Sequence, residues 1–560
     1  MQSLHYESHY FILQGFEYPR PLCENQYMAA NLQIELNPQF AKAFELIDKT
    51  GANVFVTGRA GTGKSTLLTY FREQTKKRII VLAPTGVAAL NVEGQTIHSF
   101  FGFKPNVTLS KVRKLPKRDE DRAELYKNFD VLVIDEISMV RADLLDCVEK
   151  FMRLNGRCSD LPFGGVQTVF IGDLYQLPPV VTGAEKTIFQ ESYRSPFFFD
   201  AKFFESGFEM ELIELEKIYR QRDRELIDVL NAIRNNSATE ADLGVLNKKY
   251  DPGFEPEVDD LYIYLTTTNA RAAKVNETQL NQLSTDAFIL NGVTRGDFDQ
   301  KALPTETSLK LKPGAQVMLL NNDSLGRWVN GHIGKIVDLD EEDEVTIDVE
   351  LTDGSTVAVT PYTWTLFNFT FDKEKNGIVS EEAGSFTQMP MKLAWAITVH
   401  KGQGKTFEKV IFDIGHGAFA HGQTYVALSR CTDLDGLVLK RPLKKSHILM
   451  DWKVVDFLTR YQYRLSERDL PLGDKVRILE AAATNRDILE ITYLKSGDEK
   501  SRREITPLYV DEMEYMGKRF LGLKAFCALR GQERVFRVDR ILEINTGSAN
   551  GLEKDTGARV

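Results

Sequence analysis

The chain has 560 residues, 42% of them hydrophobic and 27% charged, a balance that fits a globular protein and excludes a fibrous or wholly disordered one. At roughly 100–200 residues per domain, this length requires three or four separate cores. The net charge of -10 and pI near 5.6 exclude a surface that is basic throughout, so a polyanionic partner would have to be met by a local groove.

The first residues, MQSLHYESHYFILQGFEYPRP, lack a basic start followed by an apolar stretch, and no apolar run approaches the roughly 18 residues of a membrane span. A cytoplasmic protein without a membrane partner is expected. Cys23, Cys147, Cys158, Cys431 and Cys527 are scattered and form no CxxC pair, which predicts reduced, packed thiols rather than disulfides or a zinc site. The histidines form no metal-ligand spacing either.

Residues 1–35 carry no periodicity and read as an extension. From Asn37 a helical stretch, PQFAKAFELIDKT, leads into short apolar strands alternating with amphipathic segments, the pattern of a parallel sheet with helices on its faces. Four strands are predicted at NVFVT from Asn53, RIIVLA from Arg78, VLVID from Val131 and TVFIG from Thr168. Ligands in such sheets bind beyond the carboxyl ends of the strands, so the four endings are where chemistry is sought. A second alternating region starts at IYLTTTN and resumes with ITVHKGQG and KVIFDIG. The intervening stretch, containing VTIDVELTDGSTVAVT, reads as a small β-rich insertion.

These shifts predict a first α/β domain over 36–215 with a small inserted segment at about 102–125. A second α/β domain is split between 216–300 and 391–445 by the insertion at 301–390. A helical stretch, DWKVVDFLTRYQYRL, and a polar linker are expected within 446–473, then a compact unit over 474–545 and a tail over 546–560.

The first strand runs directly into GRAGTGKST, residues 58–66, and then into LLTYF. This is GxxxxGK[ST] in its strand-loop-helix setting, where loop amides and the helix N-terminus cradle phosphate. Gly58, Ala60, Gly61, Thr62, Gly63, Lys64, Ser65 and Thr66 are thus candidate ATP-binding residues. Lys64 would neutralise β/γ-phosphate charge, and the Ser65 hydroxyl would ligate Mg2+. VLVID delivers Asp135 toward the metal shell and Glu136 to orient the attacking water. Charge on the terminal phosphoryl also needs cations from across the cleft, and Arg220 in LEKIYRQ and Arg430 in YVALSR are candidates, although a lone arginine is more often a surface residue.

GRAGTGKST, APTGVAALN with TIHSFF, VIDEISMV, GDLYQLPPV, IYRQ, HKGQGKTF and YVALSR stand in the order and approximate spacing of the superfamily 1 helicase motifs, and together resemble the PIF/RecD group over about 37–443. The resemblance implies two RecA-like domains that bind ATP with Mg2+ between them and step along single-stranded DNA, 5′ to 3′, unwinding duplex or structured DNA in replication, repair or recombination. It implies single/double-strand junctions as substrates, a monomer, and a place on bacterial nucleoid DNA. It assigns Gln39 to adenine, Gln176 to the γ-phosphate, Arg220 and Arg430 to arginine fingers, and Gly404 to the nucleotide site. For DNA it assigns Pro84, Thr85, His98, Thr268, Asn269, His400 and Lys401, polar or small groups suited to sequence-blind backbone contacts.

Phe100 and Phe101 are either stacking faces for bases or core residues. KVRKLPKRDEDR from Lys111 is either a duplex-splitting edge or a solvated loop. The stretch GRWVNGHIGKIV resembles the SH3-like accessory domain of these helicases, with Asn330 and Gly331 in its VNG turn and Asn330 on the DNA. Residues 474–545 resemble a WYL domain, a small β-rich fold, with Arg519, Phe520 and Leu521 replacing the eponymous triplet. Arg503, Arg534, Arg537 and Arg540 match its basic positions, to bind nucleic acid or a nucleotide, or else to pair with local carboxylates. Two other classes remain: a non-unwinding ATPase or nuclease subunit, and a DNA-binding regulator driven by the C-terminal unit. No nuclease-like carboxylate cluster stands outside the ATPase motifs.

Overall fold

Short apolar runs of four or five residues, each bounded by polar or glycine positions, are buried on both faces only at the centre of a parallel sheet. The computed structural model describes residues 9–12, 37–181, 186–221, 223–340, 345–372, 374–375, 377–415, 417–418, 420–495 and 498–546. They form two compact units, one running to residue 450 except for Asn235–Ser237, the other made of those three residues and the chain from Asp451 onward.

In the first unit, the helix Pro38–Lys49 starts where Asn37 accepts a hydrogen bond from the Phe40 amide at 2.9 Å and proline takes the first turn, where its missing N–H costs nothing. Phe40, Ala43 and Ile47, spaced at helical intervals, are buried. The first sheet has six parallel strands in the order Gln95–Thr96, Ile79–Ala83, Val131–Ile134, Gln167–Ile171, Val54–Gly58 and Glu211–Leu215. All four sequence-predicted strands are present, and their carboxyl ends share one edge. The second sheet has four parallel strands, Ala396–Thr398, Ile263–Thr266, Val410–Phe412 and Leu437–Leu439. This parallel α/β core with β-rich additions is the fold class the alternation implies.

The β-rich insertion is larger than the sequence suggests. Strands begin at Phe288–Asn291, well before residue 301, and Met391–Leu393 closes a five-stranded antiparallel sheet beyond residue 390. Leu290, Val317, Trp328, Ile336 and Val349 share its core. Phe288–Asn291 pairs with Ser308–Leu311 and, in parallel, with His9–Ile12. Such pairings between distant segments leave no local periodic signal. His9–Ile12 is thus a strand within the expected extension; the rest of 1–36 lies outside the described residues, as do Cys23 and the tail from 547.

Tyr362–Asp372 and Gly377–Gln388 form a long hairpin that reaches the first domain, where Gln95 Nε2 donates to Asn368 Oδ1 at 2.9 Å. Phe369 meets Phe100 edge-on. Phe100 and Phe101 are 3% and 2% exposed and pack on Tyr126 and Phe151, so they are core residues and cannot stack on bases. The charged segment from Lys111 is tied down by Val112, which is buried, and by a 2.7 Å bond from the Leu115 amide to Asn155 Oδ1. Its helix, Glu120–Asn128, extends past residue 125.

In the second unit the expected helical stretch is Trp452–Asp469, and the polar linker expected after it is only two residues long before Leu472–Asn485 begins. Val454, Val455, Leu458 and Tyr461, at helical spacing, form its buried face. The sheet behind is five-stranded and antiparallel, in the order Gln532–Arg537, Lys518–Cys527, Glu499–Tyr515, Leu489–Lys495 and Ile541–Thr546. Leu479, Leu489, Ile505, Leu523 and Phe536 form its core.

Among the described residues no helix is long and apolar enough to cross a membrane. Cys147, Cys431 and Cys527 are buried free thiols and Cys158 is half-buried.

Candidate active site and strand-facing edges

The P-loop turns on glycines. Gly61 has φ +78°, which an L side chain rarely adopts, and a Cβ there would lie 2.4 Å from Arg220 Cβ. Only glycine lets the chain at 219–220 come this close, and the approach is fixed by a 2.8 Å bond from the Tyr219 amide to the Gly61 carbonyl. Arg220 is thereby delivered to the phosphate loop by backbone packing.

A cavity of about 650 Å³ opens here, lined by Phe40, Ala60, Gly61, Thr62, Gly63, Lys64, Ser65, Thr66, Glu136, Gln176, Tyr219, Arg220, Gly404 and Arg430. That volume suits a nucleotide-sized ligand. Lys64 Nζ donates to the carbonyls of Gly58 and Arg59 at 2.8 and 3.0 Å, and burial pushes its pKa below the ordinary lysine value. Asp135 and Glu136, at the end of Val131–Ile134, both have their carboxyl pKa raised by burial; Asp135 raises Glu136 further, while Lys64 lowers both. Glu136 sits at φ 49°, ψ 43°, a left-handed conformation costing a non-glycine residue about 1–2 kcal/mol, and such strain collects at functional sites.

Both arginines reach the GQGK turn, residues 402–405, Arg430 buried and Arg220 half-buried. Arg220 Nη2 donates to the Gly404 carbonyl at 2.9 Å, while its Nη1 is buried without a hydrogen-bond partner among the described residues. Arg430, 1% exposed, donates to the carbonyls of Val426 (2.8 Å) and Lys405 (3.1 Å) and to Ser429 Oγ (2.9 Å). Burial, then the neighbouring Arg220, pushes the Arg430 pKa well below its ordinary value. Two adjacent guanidinium groups favour an incoming anion.

Gln176 is held from both ends: its Nε2 donates to Asp173 Oδ2 at 3.2 Å and its Oε1 accepts from Gln403 Nε2 at 3.3 Å. Asp173 faces Arg234 at 3.6 Å, both fully enclosed, and Arg234 lies 4.1 Å from the Tyr175 ring centroid. The second domain presses on this loop through Gly422, where a Cβ would meet the Tyr175 and Gln176 carbonyls at 2.3 and 2.4 Å. His421 Nε2 lies 2.9 Å from the Leu174 carbonyl, and Tyr425 Oη accepts from the Ala60 amide at 3.1 Å.

Of the sequence-predicted positions, the cavity lining brings together Ala60 through Thr66, Glu136, Gln176, Arg220, Gly404 and Arg430. It does not include Gln39, Gly58 or Asp135. Gln39 instead donates to Glu216 Oε2 at 3.4 Å, and Phe40 is the helix residue that faces the cavity. Phe40, Tyr219, Tyr425, Asp173, Arg234 and Gln403 were not singled out in sequence. Asp173, Tyr219, Gln403 and Tyr425 lie inside quoted motifs, whereas Arg234 reads as one basic residue in an amphipathic helix.

Ser65 and Asp135 offer a hydroxyl and a carboxylate, hard oxygen donors of the kind Mg2+ takes alongside phosphate oxygens and water. That donor set fits the ion. Among the described residues no group of three His, Cys, Asp or Glu could hold a metal by itself, so an ion there would need the triphosphate to complete its shell.

The positions expected to meet DNA lie at the carboxyl ends of adjacent strands. Thr85 caps the helix Gly86–Asn91, and His98 lies on Ile97–Phe101 beside it. Thr268 and Asn269 follow Ile263–Thr266, and His400 and Lys401 follow its parallel neighbour Ala396–Thr398. Asn330 Nδ2 donates to Asn91 Oδ1 at 3.4 Å, and Lys405 donates to Asn330 Oδ1, so the VNG turn touches both domains. In the second unit, Arg537 is paired to Asp539 through two bonds of 3.0 and 2.6 Å and lies over the Phe520 ring. Arg503 Nη1 is buried without a partner among the described residues, and Arg534 is exposed.

The profile of the PIF1-like helicases matches residues 35–243, and that of the WYL domain matches 474–546. The chain is similar to the ATP-dependent DNA helicase Pif1 of Bdellovibrio bacteriovorus, 33% identical over 441 residues covering 77% of this chain and 93% of the relative. Bacteroides Pif1 in complex with ADP-AlF4 is 40% identical with a TM-score of 0.71, covering 77% of this chain and 97% of that one. Bacteroides Pif1 bound to ssDNA, at 40% identity over 78% and 97% of the two chains, gives a TM-score of 0.55.

Proposed function

This chain belongs to the PIF1-like helicase family, and from that footing we propose that it hydrolyses ATP at the seam of its two parallel-sheet domains to move 5′ to 3′ along single-stranded DNA and open the duplex ahead. The observation that carries the reading is the convergence of Lys64, Glu136, Gln176, Arg220 and Arg430, drawn from both domains, on one cavity. A group whose only task was to bind nucleotide would not need cations from two bodies that can move apart.

The adenine lies against Phe40 and Tyr219, and the P-loop amides take the β- and γ-phosphates. Mg2+, held by Ser65 and through Asp135, supplies charge neutralisation on the phosphate oxygens when bound. Lys64 leaves the Gly58 and Arg59 carbonyls for the phosphates. Glu136 orients the attacking water, Gln176 reports the terminal phosphate, and Arg220 and Arg430 stabilise charge spreading over its oxygens. Loss of the γ-phosphate removes what holds Arg430 to the first domain, so the domains part and the grip at Thr85, His98, Thr268, Asn269, His400 and Lys401 shifts along the strand. A monomer is the working unit on this reading.

Single/double-strand junctions are the substrate on this reading, bacterial nucleoid DNA the setting, and replication, repair or recombination the process. Strand-displacement assays on 5′- and 3′-tailed duplexes test it: ATP-dependent opening of the 5′-tailed substrate alone is expected, and preference for the 3′ tail or opening without ATP refutes it.

The WYL unit adds a contact to nucleic acid or a nucleotide through Arg503, Arg534 and Arg540, with Arg537 withdrawn into its pair with Asp539. Removing residues from 451 onward, at the boundary of the compact unit, is expected to weaken single-strand affinity and flatten its salt dependence by about 0.7 per lost phosphate contact, with ATP hydrolysis retained. A cut at 474 would be a poorer test, because Ser466 donates to the Leu542 carbonyl at 2.7 Å and accepts from buried Lys475 at 2.9 Å. Identical binding isotherms across salt would remove the unit from DNA recognition.

A further inference from the structure

One hydrogen-bonded chain crosses the cleft at the cavity, joining the lining residues Glu136 and Gln176 through Gln403, which does not line it. Gln403 Nε2 donates to Glu136 Oε2 at 3.0 Å and to Gln176 Oε1 at 3.3 Å. An amide NH2 has two hydrogens, so both bonds are made at once. Gln176 Nε2 in turn donates to Asp173 Oδ2 at 3.2 Å. The group that would orient water and the group that would sense the terminal phosphate are therefore tied to each other through one side chain of the opposite domain.

Gln403 sits on a turn that cannot move piecemeal. Its amide donates to the His400 carbonyl at 3.2 Å, the Gly402 amide to the Thr398 carbonyl at 2.9 Å, and the Lys405 amide to the Gly402 carbonyl at 3.1 Å. His400 and Lys401, exposed on the same turn, are the strand-facing positions. A phosphate drawing on them displaces Gln403 with them.

We propose that Gln403 is a positioning residue that restrains Glu136 until DNA is bound: its amide occupies the carboxylate oxygen that would otherwise turn to the attacking water, and strand binding at His400 and Lys401 withdraws it. This inference rests on the helicase reading above and specifies how its site is regulated. A charge-assisted hydrogen bond in a buried site shifts such an equilibrium by about tenfold or more, enough to set a basal rate. The donation also orders Gln176, so nucleotide sensing and water activation are released together.

The test is steady-state ATP hydrolysis by the full chain with Mg2+, with and without saturating oligo(dT), for the wild type, Gln403→Ala and Gln403→Met. The alanine removes the donor; the methionine keeps most of the volume, so a correctly folded variant is available, but has neither a donor for Glu136 nor a charge that would alter its protonation. In both, the DNA-free kcat is expected to rise about tenfold while KM for ATP moves less than about twofold, since Gln403 does not line the cavity. The DNA-saturated kcat should stay near wild type, so the stimulation ratio falls by the same tenfold. A DNA-free kcat that is unchanged or lowered in both variants, or a ratio that falls only through loss of the DNA-saturated rate, overturns the proposal. Absence of Lys64-dependent hydrolysis in the wild type would instead sink the helicase reading itself, so the two failures are distinguishable.

Discussion

Lys64→Ala will reduce ATP hydrolysis by about a thousandfold or more, the scale on which loss of one preorganised charge donor at a reacting centre is felt. Lys64 is the P-loop cation, and the carbonyls it now holds, Gly58 and Arg59, belong to the loop that must cradle the phosphates. Single-strand affinity measured by fluorescence anisotropy without nucleotide should stay within about twofold, because the strand-facing positions lie at other strand ends. Turnover at the wild-type rate would show that the cavity lined by residues 60–66 is not the hydrolytic site. The loss should appear in kcat more than in KM, since the lysine's contribution grows as charge develops on the leaving oxygens.

Arg430→Ala is expected to lower kcat by about three orders of magnitude, as removal of an arginine finger does. The residue is 1% exposed and spends its donors on the Val426 and Lys405 carbonyls and Ser429. Alanine therefore both removes the cation and loosens the 402–405 turn. Arg430→Lys separates the two effects: it keeps a charge but not the planar fork that reaches three partners, and should recover less than about a tenth of the activity. A lysine variant at full activity would reduce Arg430 to a point charge. A thermal melt of each variant checks that the loss is not unfolding, since emptying a buried arginine site leaves carbonyls unpaired.

The ATP site was legible because its chemistry is local. A strand, a glycine-rich loop and a helix are consecutive in sequence, so the phosphate cradle is written in one run, and Asp135 and Glu136 terminate a strand that can be read by itself. The adenine end was less legible. Gln39 carries the chemistry expected of a base reader, yet helix phase turns Phe40, not Gln39, into the cavity, and a one-residue error on a helix rotates a side chain by about 100°. Phe100 and Phe101 could be stacking faces or core by composition, and only their burial on Tyr126 and Phe151 decides for the core. The insertion was placed too late and closed too early because Phe288–Asn291 and Met391–Leu393 acquire their strand identity from partners far along the chain.

The amino-acid order alone determined the phosphate loop, the acidic strand end, the four leading strands and the family pattern of motifs, all properties of contiguous residues whose hydrogen bonds and periodicity are satisfied locally. Tertiary structure alone decided which face of each helix lines the cavity, that Arg234 is sealed against Asp173, and that Gln403 reaches across to Glu136. Those relations depend on close approach between segments tens to hundreds of residues apart, and side-chain direction at such a contact is set by packing, which no local pattern encodes.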